Sequence, residues 1–386
     1  MFDKIKNISG LRGVSIIGSS DIASSVIGAI FWLYLASLLG AENYGQLSYF
    51  LSIASIASTV SLLGTENAIS VYIAKKIKLE ATIFLIPIIA GSIASIILYF
   101  AFSDLGVTVY VLGAVIFGLA SSEILAKGLF KAYSKYLLLT KILMVTLSIG
   151  LYHSIGLEGV LIGVGLAFFV YLVRIYKGFR DTKIDFSLIK PRAGFLVNSY
   201  ALQLVNSFNG SLDKIIIAPL LGFALLGNYS LGVQFLSILH ILPGIVYKYI
   251  LPQDASGKPN KKLKQLTVIS SIGIAILGIV LGPIVIPLFL PQYVEAITVI
   301  QIMSVSVIPS TINLMYTSKL LGNEKTKFLL MGSGIYLIIL ISGIIILGLT
   351  YGINGMAVAI IISTSAETGF YYFINKIKMK DEINKK

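Results

Sequence analysis

Apolar runs long enough to cross a lipid bilayer recur along almost the whole chain, and this feature most constrains its fold. A membrane-spanning helix needs about 20 apolar residues. Of the 386 residues, 56% are hydrophobic and 12% are charged, whereas a soluble domain carries about 25% charged residues. The sequence therefore predicts an all-α polytopic membrane protein. The predicted spans are 13–39, 45–74, 81–102, 106–126, 136–152, 157–176, 194–221, 227–250, 265–289, 294–318, 328–348 and 353–375.

Basic residues alternate between the predicted loops. Lys and Arg cluster at the N-terminus, in every second loop and in the C-terminal tail, and the intervening loops contain none. Because positive residues are retained on the cytoplasmic side, this pattern predicts twelve spans with both termini cytoplasmic. The net charge of +13 is then explained by topology and by attraction to anionic lipid, so nucleic acid is not an expected partner.

Other features argue against an enzyme. The chain has no cysteine, so it has no disulfide or thiolate metal site, and its two histidines, His153 and His240, lie far apart in sequence. The longest non-membrane stretches, about 177–193 and 251–264, are too short for a catalytic domain. We therefore expect no cofactor, and a coupling ion, H⁺ or Na⁺, stays open.

Three motifs occur twice in the same order. "LLGAENYG" at 38–45 is followed by "LLGFALLG" at 220–227, Lys127 aligns with Lys319, and "GLEG" at 156–159 aligns with "GING" at 352–355. These matches predict two six-helix lobes, 1–178 and 194–386, joined by a cytoplasmic linker at 179–193. Each lobe begins inside, so the repeat is a parallel pseudo-twofold. Such repeats are typical of alternating-access transporters, whose sites lie near the midplane between the halves.

Polar residues form a stripe on the seventh predicted span. At 100° per residue, six of them fall within an arc of about 100°: Ser199, Gln203, Asn206, Gly210, Asp213 and Lys214. Because ionisable groups are costly in lipid, this stripe is predicted to face the other lobe or a wet cavity. Lys214 has two interpretations, a structural pair with Asp213 or another carboxylate, and a counter-charge for an anionic substrate.

Two further spans carry candidates for a substrate pathway. On the first span, Asp21 shares a face with Ser24, Ser25 and Gly28, and Arg12 lies near the inner edge. On the eighth span, Gln234 extends the stripe. The predicted substrate-pathway residues are Arg12, Asp21, Gln203, Asn206, Asp213, Lys214 and Gln234.

Ionisable residues near the predicted inner helix ends have alternative interpretations. Glu66, Glu123 and Glu367 either pair with Lys75, Lys127 and the tail lysines or contact substrate. Lys127 and Lys141 are interpreted as ordinary boundary lysines, in preference to an inner vestibule for an anion.

Several segments together resemble polysaccharide-biosynthesis flippases of the Wzx type, in the MOP superfamily that also contains MATE exporters and the lipid II flippase. The resemblance is carried by 10–56, 211–238, "GLEGVLIG" at 156–163 and "GINGMAVA" at 352–359. It implies a monomeric cell-membrane protein that moves a lipid-diphosphate-linked oligosaccharide from the cytoplasmic to the outer leaflet.

The resemblance also implies a cavity lined by spans 1, 2, 7 and 8, with cations for the diphosphate. Arg12 would be the inner-gate cation, and Asp213 and Lys214 lie on the span 7 motif. The cavity helices contain few arginines, so either few cations suffice or the anion is bound near the inner lysines. The alternatives are a MATE-like ion-coupled exporter using Asp21 or Asp213, and a membrane enzyme, which would need a larger outer loop.

Overall fold

A computed structural model describes residues 11–257, 259–323 and 325–383, and in these ranges the chain consists of α-helices and short 3-10 turns, without β-strands. The helices of the first half are α1 Leu11–Leu62, α2 Thr65–Tyr72, α3 Glu80–Phe102, α4 Leu105–Ala126, α5 Phe130–Ile155, α6 Leu157–Phe168 and α7 Leu172–Asp181. Those of the second half are α8 Ala193–Leu221, α9 Phe223–Leu239, α10 Ile241–Ala255, α11 Lys261–Phe289, α12 Ala296–Val305, α13 Val307–Gly322 and α14 Thr326–Ile383.

Glycines with positive φ interrupt the helices at the positions of two repeated motifs. Gly40 within α1 has φ 75° and ψ 170°, and Gly222 between α8 and α9 has φ 83° and ψ 171°. Gly156 between α5 and α6 has φ 76° and ψ −149°, and Gly352 within α14 has φ 60° and ψ −145°. Side chains with a Cβ are disfavoured at such φ values, so each glycine lets the chain turn between two apolar helices. Within each aligned pair the backbone conformation is the same.

Eight helices among the described residues are long and apolar enough to cross a membrane, or nine if α9 and α10, which are bent by 45°, form one span. Two of the eight are unusually long: residues Ile17–Leu62 of α1 and Thr326–Lys376 of α14. At 1.5 Å per residue, the helical residues of each add up to roughly 70 Å, more than twice the hydrocarbon core of about 30 Å, and each is divided into two helices by its glycine. Many large apolar side chains are exposed, among them Phe100, Leu288 and Phe289, as expected for surfaces that face lipid. The chain is thus a multi-pass membrane protein.

The chain folds into two compact units, and each contains a segment from the other half of the sequence. The first unit comprises Met1–Phe31 and Phe50–Ser207, and the second comprises Trp32–Tyr49 and Phe208–Lys386. The first is centred on a buried cluster that includes Phe84, Leu119 and Tyr171. The second is centred on a cluster that includes Tyr229 and Met303. The boundaries of the predicted lobes, 1–178 and 194–386, are those of the sequence repeat. The boundaries of the compact units are set by contacts between residues, so the two divisions of the chain differ.

The predicted linker 179–193 packs against the start of α3. The backbone N–H of Asp185 donates to Thr82 Oγ1 at 2.8 Å, and the backbone N–H of Ala81 donates to Thr182 Oγ1 at 2.9 Å. Hydrogen bonds from the hydroxyl and the backbone N–H of Ser187 lower the pKa of the Asp185 carboxyl. The segment between the two halves of the sequence is therefore part of the first unit.

Candidate substrate-binding site

The polar stripe on α8 divides between the two units. In the first unit, Gln203 Nε2 donates to Glu66 Oε2 at 3.0 Å. In the second unit, Asp213 Oδ2 accepts a hydrogen bond from the Tyr229 hydroxyl at 2.9 Å. Between these contacts the stripe opens, because Asn206 and Gly210 are exposed. The stripe therefore combines buried polar contacts at its two ends with accessible polar surface in its middle.

Lys214 forms the structural pair that was one of its two interpretations. Its ammonium lies 3.3 Å from Asp213 Oδ1 and donates to the carbonyl oxygen of Gly210 at 2.9 Å. The Asp213 residue is 6% exposed. Because a buried charge is costly unless it is paired and hydrogen-bonded, Lys214, Asp213 and Tyr229 together form a satisfied network.

Asp21 packs against α5. The hydroxyl of Tyr133 donates to Asp21 Oδ1 at 3.2 Å, and the hydroxyl of Ser134 donates to Ser20 Oγ at 3.0 Å. Further along the same two helices, a Cβ placed on Gly28 would lie 3.8 Å from Lys141 Nζ. The contacting residues are separated by 112 to 114 positions, so this part of α1 runs alongside α5 in the same direction.

Lys141 lies far from the ends of its helix, which the sequence analysis did not anticipate. The fifth span was predicted to begin at 136, whereas α5 begins at Phe130 and ends at Ile155. Lys141 is consequently 11 residues from the first residue of the helix and 14 from the last. It makes no hydrogen bond or ion pair with any residue that the structure describes. The helix bounds therefore place Lys141 well inside α5, and its interpretation as a boundary lysine at the membrane surface stays a prediction.

The three candidate glutamates have different partners. Glu123 accepts a bidentate pair of hydrogen bonds from Arg174 and lies 2.6 Å from Lys127 Nζ. Lys127 also lies 3.1 Å from Glu80. This network confirms the predicted Glu123–Lys127 pair and adds Arg174, which the sequence analysis missed.

Lys127 caps the C-terminal end of α4 and remains charged in this network. Burial of its ammonium lowers its pKa, but hydrogen bonds and charge attraction from Glu123 and Glu80 outweigh burial, so the net shift of the Lys127 pKa is upward. The cluster therefore combines two basic side chains, Lys127 and Arg174, with two acidic ones, Glu123 and Glu80.

Among the residues whose side chains are described, Glu66 forms no ion pair with Lys75 and Glu367 forms none with Lys376, and the other tail lysines lie outside this part of the structure. Glu66 contacts Gln203, and one of its carboxylate oxygens lies against Gly118 on α4. Among the described residues it forms no ion pair. Glu367 accepts hydrogen bonds from Asn313 Nδ2 and from the Tyr371 hydroxyl, both at 2.9 Å.

The remaining predicted pathway residues have no defined role in these contacts. Arg12 lies in the first turn of α1, and its side chain is outside the described part of the structure. Gln234 is half-buried on α9 and forms no hydrogen bond with the described residues. No group of three or more potential metal-ligating His, Cys, Asp or Glu side chains is found in the described ranges.

The two copies of the "LLG" motif pack against each other in the second unit. A Cβ on Gly45 would overlap the carbonyl oxygen of Phe223, and a Cβ on Gly227 would overlap the carbonyl oxygen of Ala41. The contact is reciprocal, because each glycine lies against the first turn of the other copy. Tyr293 strengthens the attachment of this segment, since its hydroxyl donates to the carbonyl oxygen of Ala36 at 2.8 Å.

Solved membrane proteins have a similar fold. A lipid II flippase MurJ in an inward closed conformation aligns with a TM-score of 0.75 at 16% identity, over 93% of this chain and 87% of that one. An inward-facing multidrug resistance MATE family transporter aligns with a TM-score of 0.72 at 14% identity, over 93% and 95%. An outward-facing MATE family structure aligns with a TM-score of 0.65 at 15% identity, over 96% of both chains. The chain therefore shares the fold of these solved transporters.

The family assignment is more specific. The sequence profile of the family described as polysaccharide biosynthesis protein matches residues 11–248, which is more than half of the chain. The protein belongs to this family, as the resemblance of its first, seventh and eighth spans predicted. No curated protein matches the sequence.

Proposed function

We propose that this protein moves a lipid-diphosphate-linked oligosaccharide from the cytoplasmic to the outer leaflet of the cell membrane by alternating access. The observation that carries the proposal is the partly exposed polar stripe on α8, in a chain that belongs to a polysaccharide-biosynthesis family. The head group of such a substrate cannot cross hydrocarbon alone, because its charges and hydroxyls would lose their hydration. A polar path lets the head group cross while the lipid tail stays in the bilayer. The partners are this substrate and membrane lipids, and the protein acts as a monomer.

The proposed architecture is twelve spans in two parallel lobes, with both termini in the cytoplasm. Two observations support it. The long helices α1 and α14 are each interrupted by a positive-φ glycine, at Gly40 and Gly352, so each supplies two spans. The eight helices then supply ten spans. The helix α8 and the bent pair of α9 and α10 add one span each, which makes twelve. The equal backbone angles of the aligned glycines also support the repeat.

The proposed pathway contains the residues predicted from the sequence. The exposed Asn206 supplies a hydrogen-bonding surface for the sugar head group, flanked by Gln203 on one side and by the Asp213–Lys214 pair on the other. Arg12, Asp21 and Gln234 belong to the same proposed pathway. No cofactor is required, because translocation by rocking of two lobes breaks no covalent bond.

A flipping assay tests this proposal. Purified protein is reconstituted into vesicles that contain an undecaprenyl-diphosphate-linked oligosaccharide with a fluorescent label on the sugar, and a membrane-impermeant reductant then quenches the label in the outer leaflet. We expect quenching of nearly all the label, against about half in protein-free vesicles with the substrate in both leaflets. Labelled phosphatidylcholine is the control lipid and should remain half protected. Equal protection of the oligosaccharide with and without protein would contradict the proposal.

A substitution within the stripe makes the same assay specific to the proposed path. Asn206→Leu should slow flipping about tenfold, the equivalent of one or two lost hydrogen bonds. Asn198→Leu is the matched control, because Asn198 is an exposed asparagine on α8 that lies about 110° from the centre of the stripe. Equal rates in the two variants would remove the stripe from the pathway.

A second candidate function is an ion-coupled exporter of small molecules, and Glu66 favours it. A half-buried carboxyl that contacts Gln203 and has no cation partner among the described residues is a group that can bind H⁺ or Na⁺. We therefore propose Glu66 as the coupling group if transport is ion-driven.

A proton-flux measurement separates the two functions. With a pH-sensitive dye inside the vesicles, Glu66→Gln should abolish any proton movement coupled to transport, because the amide cannot carry a proton. Glu42→Gln is the control, since Glu42 is an exposed carboxylate near Gly40. Proton flux driven by a small cationic drug, without movement of the labelled oligosaccharide, would favour the exporter.

A further inference from the structure

Lys141 is a cation in the middle of an apolar helix. It lies 11 residues after Phe130 in a 26-residue helix, which places it about 16 Å along the helix axis. The side chain is half-buried. No hydrogen bond or ion pair joins it to any residue that the structure describes.

The nearest acidic residue on the facing helix does not neutralise Lys141. Gly28 on α1 is the residue beside the ammonium, and a Cβ there would be 3.8 Å from Nζ. Asp21 on the same face of α1 binds Tyr133. Tyr133 precedes Lys141 by eight residues on α5, a distance of about 12 Å along the axis. The ammonium therefore lies beside a glycine, where a side chain would otherwise occupy the space.

Lys214 shows how this chain treats a lysine that has a structural role. By the spacing that relates Gly40 to Gly222, Gly28 corresponds to Gly210. The carbonyl oxygen of Gly210 binds Lys214, which is also paired with Asp213. Gly28 and Gly210 therefore each have a lysine ammonium beside them. Among the described residues, the ammonium of Lys214 has a carboxylate and a carbonyl oxygen as partners, and that of Lys141 has none. An unpaired charge deep in a membrane helix is costly and marks a functional site.

We propose that Lys141 binds the diphosphate group of the lipid-linked substrate as that group crosses the membrane. This inference rests on the function proposed above. Lysine binds phosphate as a point charge, and a dianionic or trianionic group beside Gly28 would compensate an ammonium that the protein leaves uncompensated.

Binding of farnesyl diphosphate, a short soluble isoprenoid diphosphate, tests the assignment with the purified full-length protein in detergent. We expect Lys141→Gln to bind at least about tenfold more weakly, since a charge-assisted contact is worth that much or more. Lys141→Arg should retain binding because it keeps the charge. Lys135→Gln is the matched control, as Lys135 is an exposed lysine on the same helix, and it should bind like the unmodified protein.

Thermal stability distinguishes a binding lysine from a structural one. Lys141→Gln should raise the unfolding temperature, because it removes an unpaired charge from the membrane segment. Lys214→Gln should lower the unfolding temperature, because it leaves Asp213 buried without its cation. A fall in the unfolding temperature with Lys141→Gln would identify a structural role and overturn the proposal.

The outcomes separate this inference from the proposed function. If the unmodified protein and Lys141→Gln bind farnesyl diphosphate equally, Lys141 is not the diphosphate site, although flipping can still occur. If the unmodified protein does not bind farnesyl diphosphate, the assignment of a diphosphate site to Lys141 is wrong, whereas the proposed flipping activity is decided separately by the vesicle assay. If detergent-solubilised phosphatidylglycerol binds the unmodified protein as tightly as farnesyl diphosphate does, and Lys141→Gln weakens both equally, the site binds an anionic phospholipid and the proposal fails.

Discussion

Replacing Gly227 by alanine is expected to destabilise the protein by about 3 kcal/mol, the upper end of the usual cost of overpacking. The added Cβ would overlap the carbonyl oxygen of Ala41, which is a backbone atom and cannot move aside by changing rotamer. The same argument applies to Gly45, whose Cβ would overlap the carbonyl oxygen of Phe223. Either substitution should therefore separate the segment Trp32–Tyr49 from the rest of the second unit.

Tryptophan fluorescence is a direct measurement of this effect. The chain contains one tryptophan, Trp32, which is the first residue of that segment. Gly227→Ala should lower the apparent unfolding temperature and shift the emission of Trp32 in the folded protein. The double variant with Gly45→Ala should be less destabilised than the sum of the two single variants, because both disrupt one contact.

Gly273→Ala provides the matched control for the same chemical change. Gly273 lies within α11, is exposed, and has no neighbouring atom within 4 Å of a Cβ placed on it. Alanine favours a helix over glycine by about 1 kcal/mol, so this variant should be neutral or more stable. If Gly227→Ala and Gly273→Ala had the same unfolding temperature, the close packing at Gly227 would not exist in the membrane protein.

Glu123→Gln is expected to cost about 3–5 kcal/mol of stability, as is usual when one partner of a buried ion pair is removed. Glu123 is 2% exposed and contacts both Arg174 and Lys127. The amide cannot compensate two cations. Lys127 keeps Glu80, whereas Arg174 loses its carboxylate in a part of the first unit where its side chain is only 12% exposed.

An exposed ion pair in the same unit serves as the control for Glu123→Gln. Asp181 pairs with Arg180 at 3.0 Å, and their side chains are 52% and 60% exposed. Exposed pairs are worth about 0–1 kcal/mol, so Asp181→Asn should leave the unfolding temperature almost unchanged. Comparable losses in the two variants would mean that the Glu123 cluster is solvated and contributes no more than a surface pair.

Several features of the site were predictable because they depend on residues close in sequence. The stripe on α8 follows from helical periodicity alone, and the Asp213–Lys214 pair joins adjacent residues. Glu123 and Lys127 are separated by one helical turn, so their contact was among the expected ones. The partners from other helices were not predictable in this way. Tyr229, Tyr133 and Arg174 reach Asp213, Asp21 and Glu123 from separate helices.

Lys141 shows why a boundary error has functional consequences. Apolar windows placed the start of the fifth span at 136, because Lys131 and Lys135 lower the hydropathy of the preceding residues. The helix in fact begins at Phe130. Lysines favour helix formation when they are exposed to water, so the helix extends beyond the apolar residues that would contact lipid. Shifting the start by six residues moves Lys141 from near a helix end to mid-helix.

The sequence by itself determined that this is an α-helical, multi-pass membrane protein of a polysaccharide-biosynthesis family, and it located the breaks at Gly40, Gly156, Gly222 and Gly352. Hydrophobicity, charge placement and glycine at positive φ act locally, so they can be read without a structure. Only the tertiary structure decided which charges are compensated. Arg174 reaches Glu123 across 51 residues of sequence and Tyr133 reaches Asp21 across 112, whereas the residue beside Lys141 on the facing helix is Gly28, which has no side chain to compensate the ammonium.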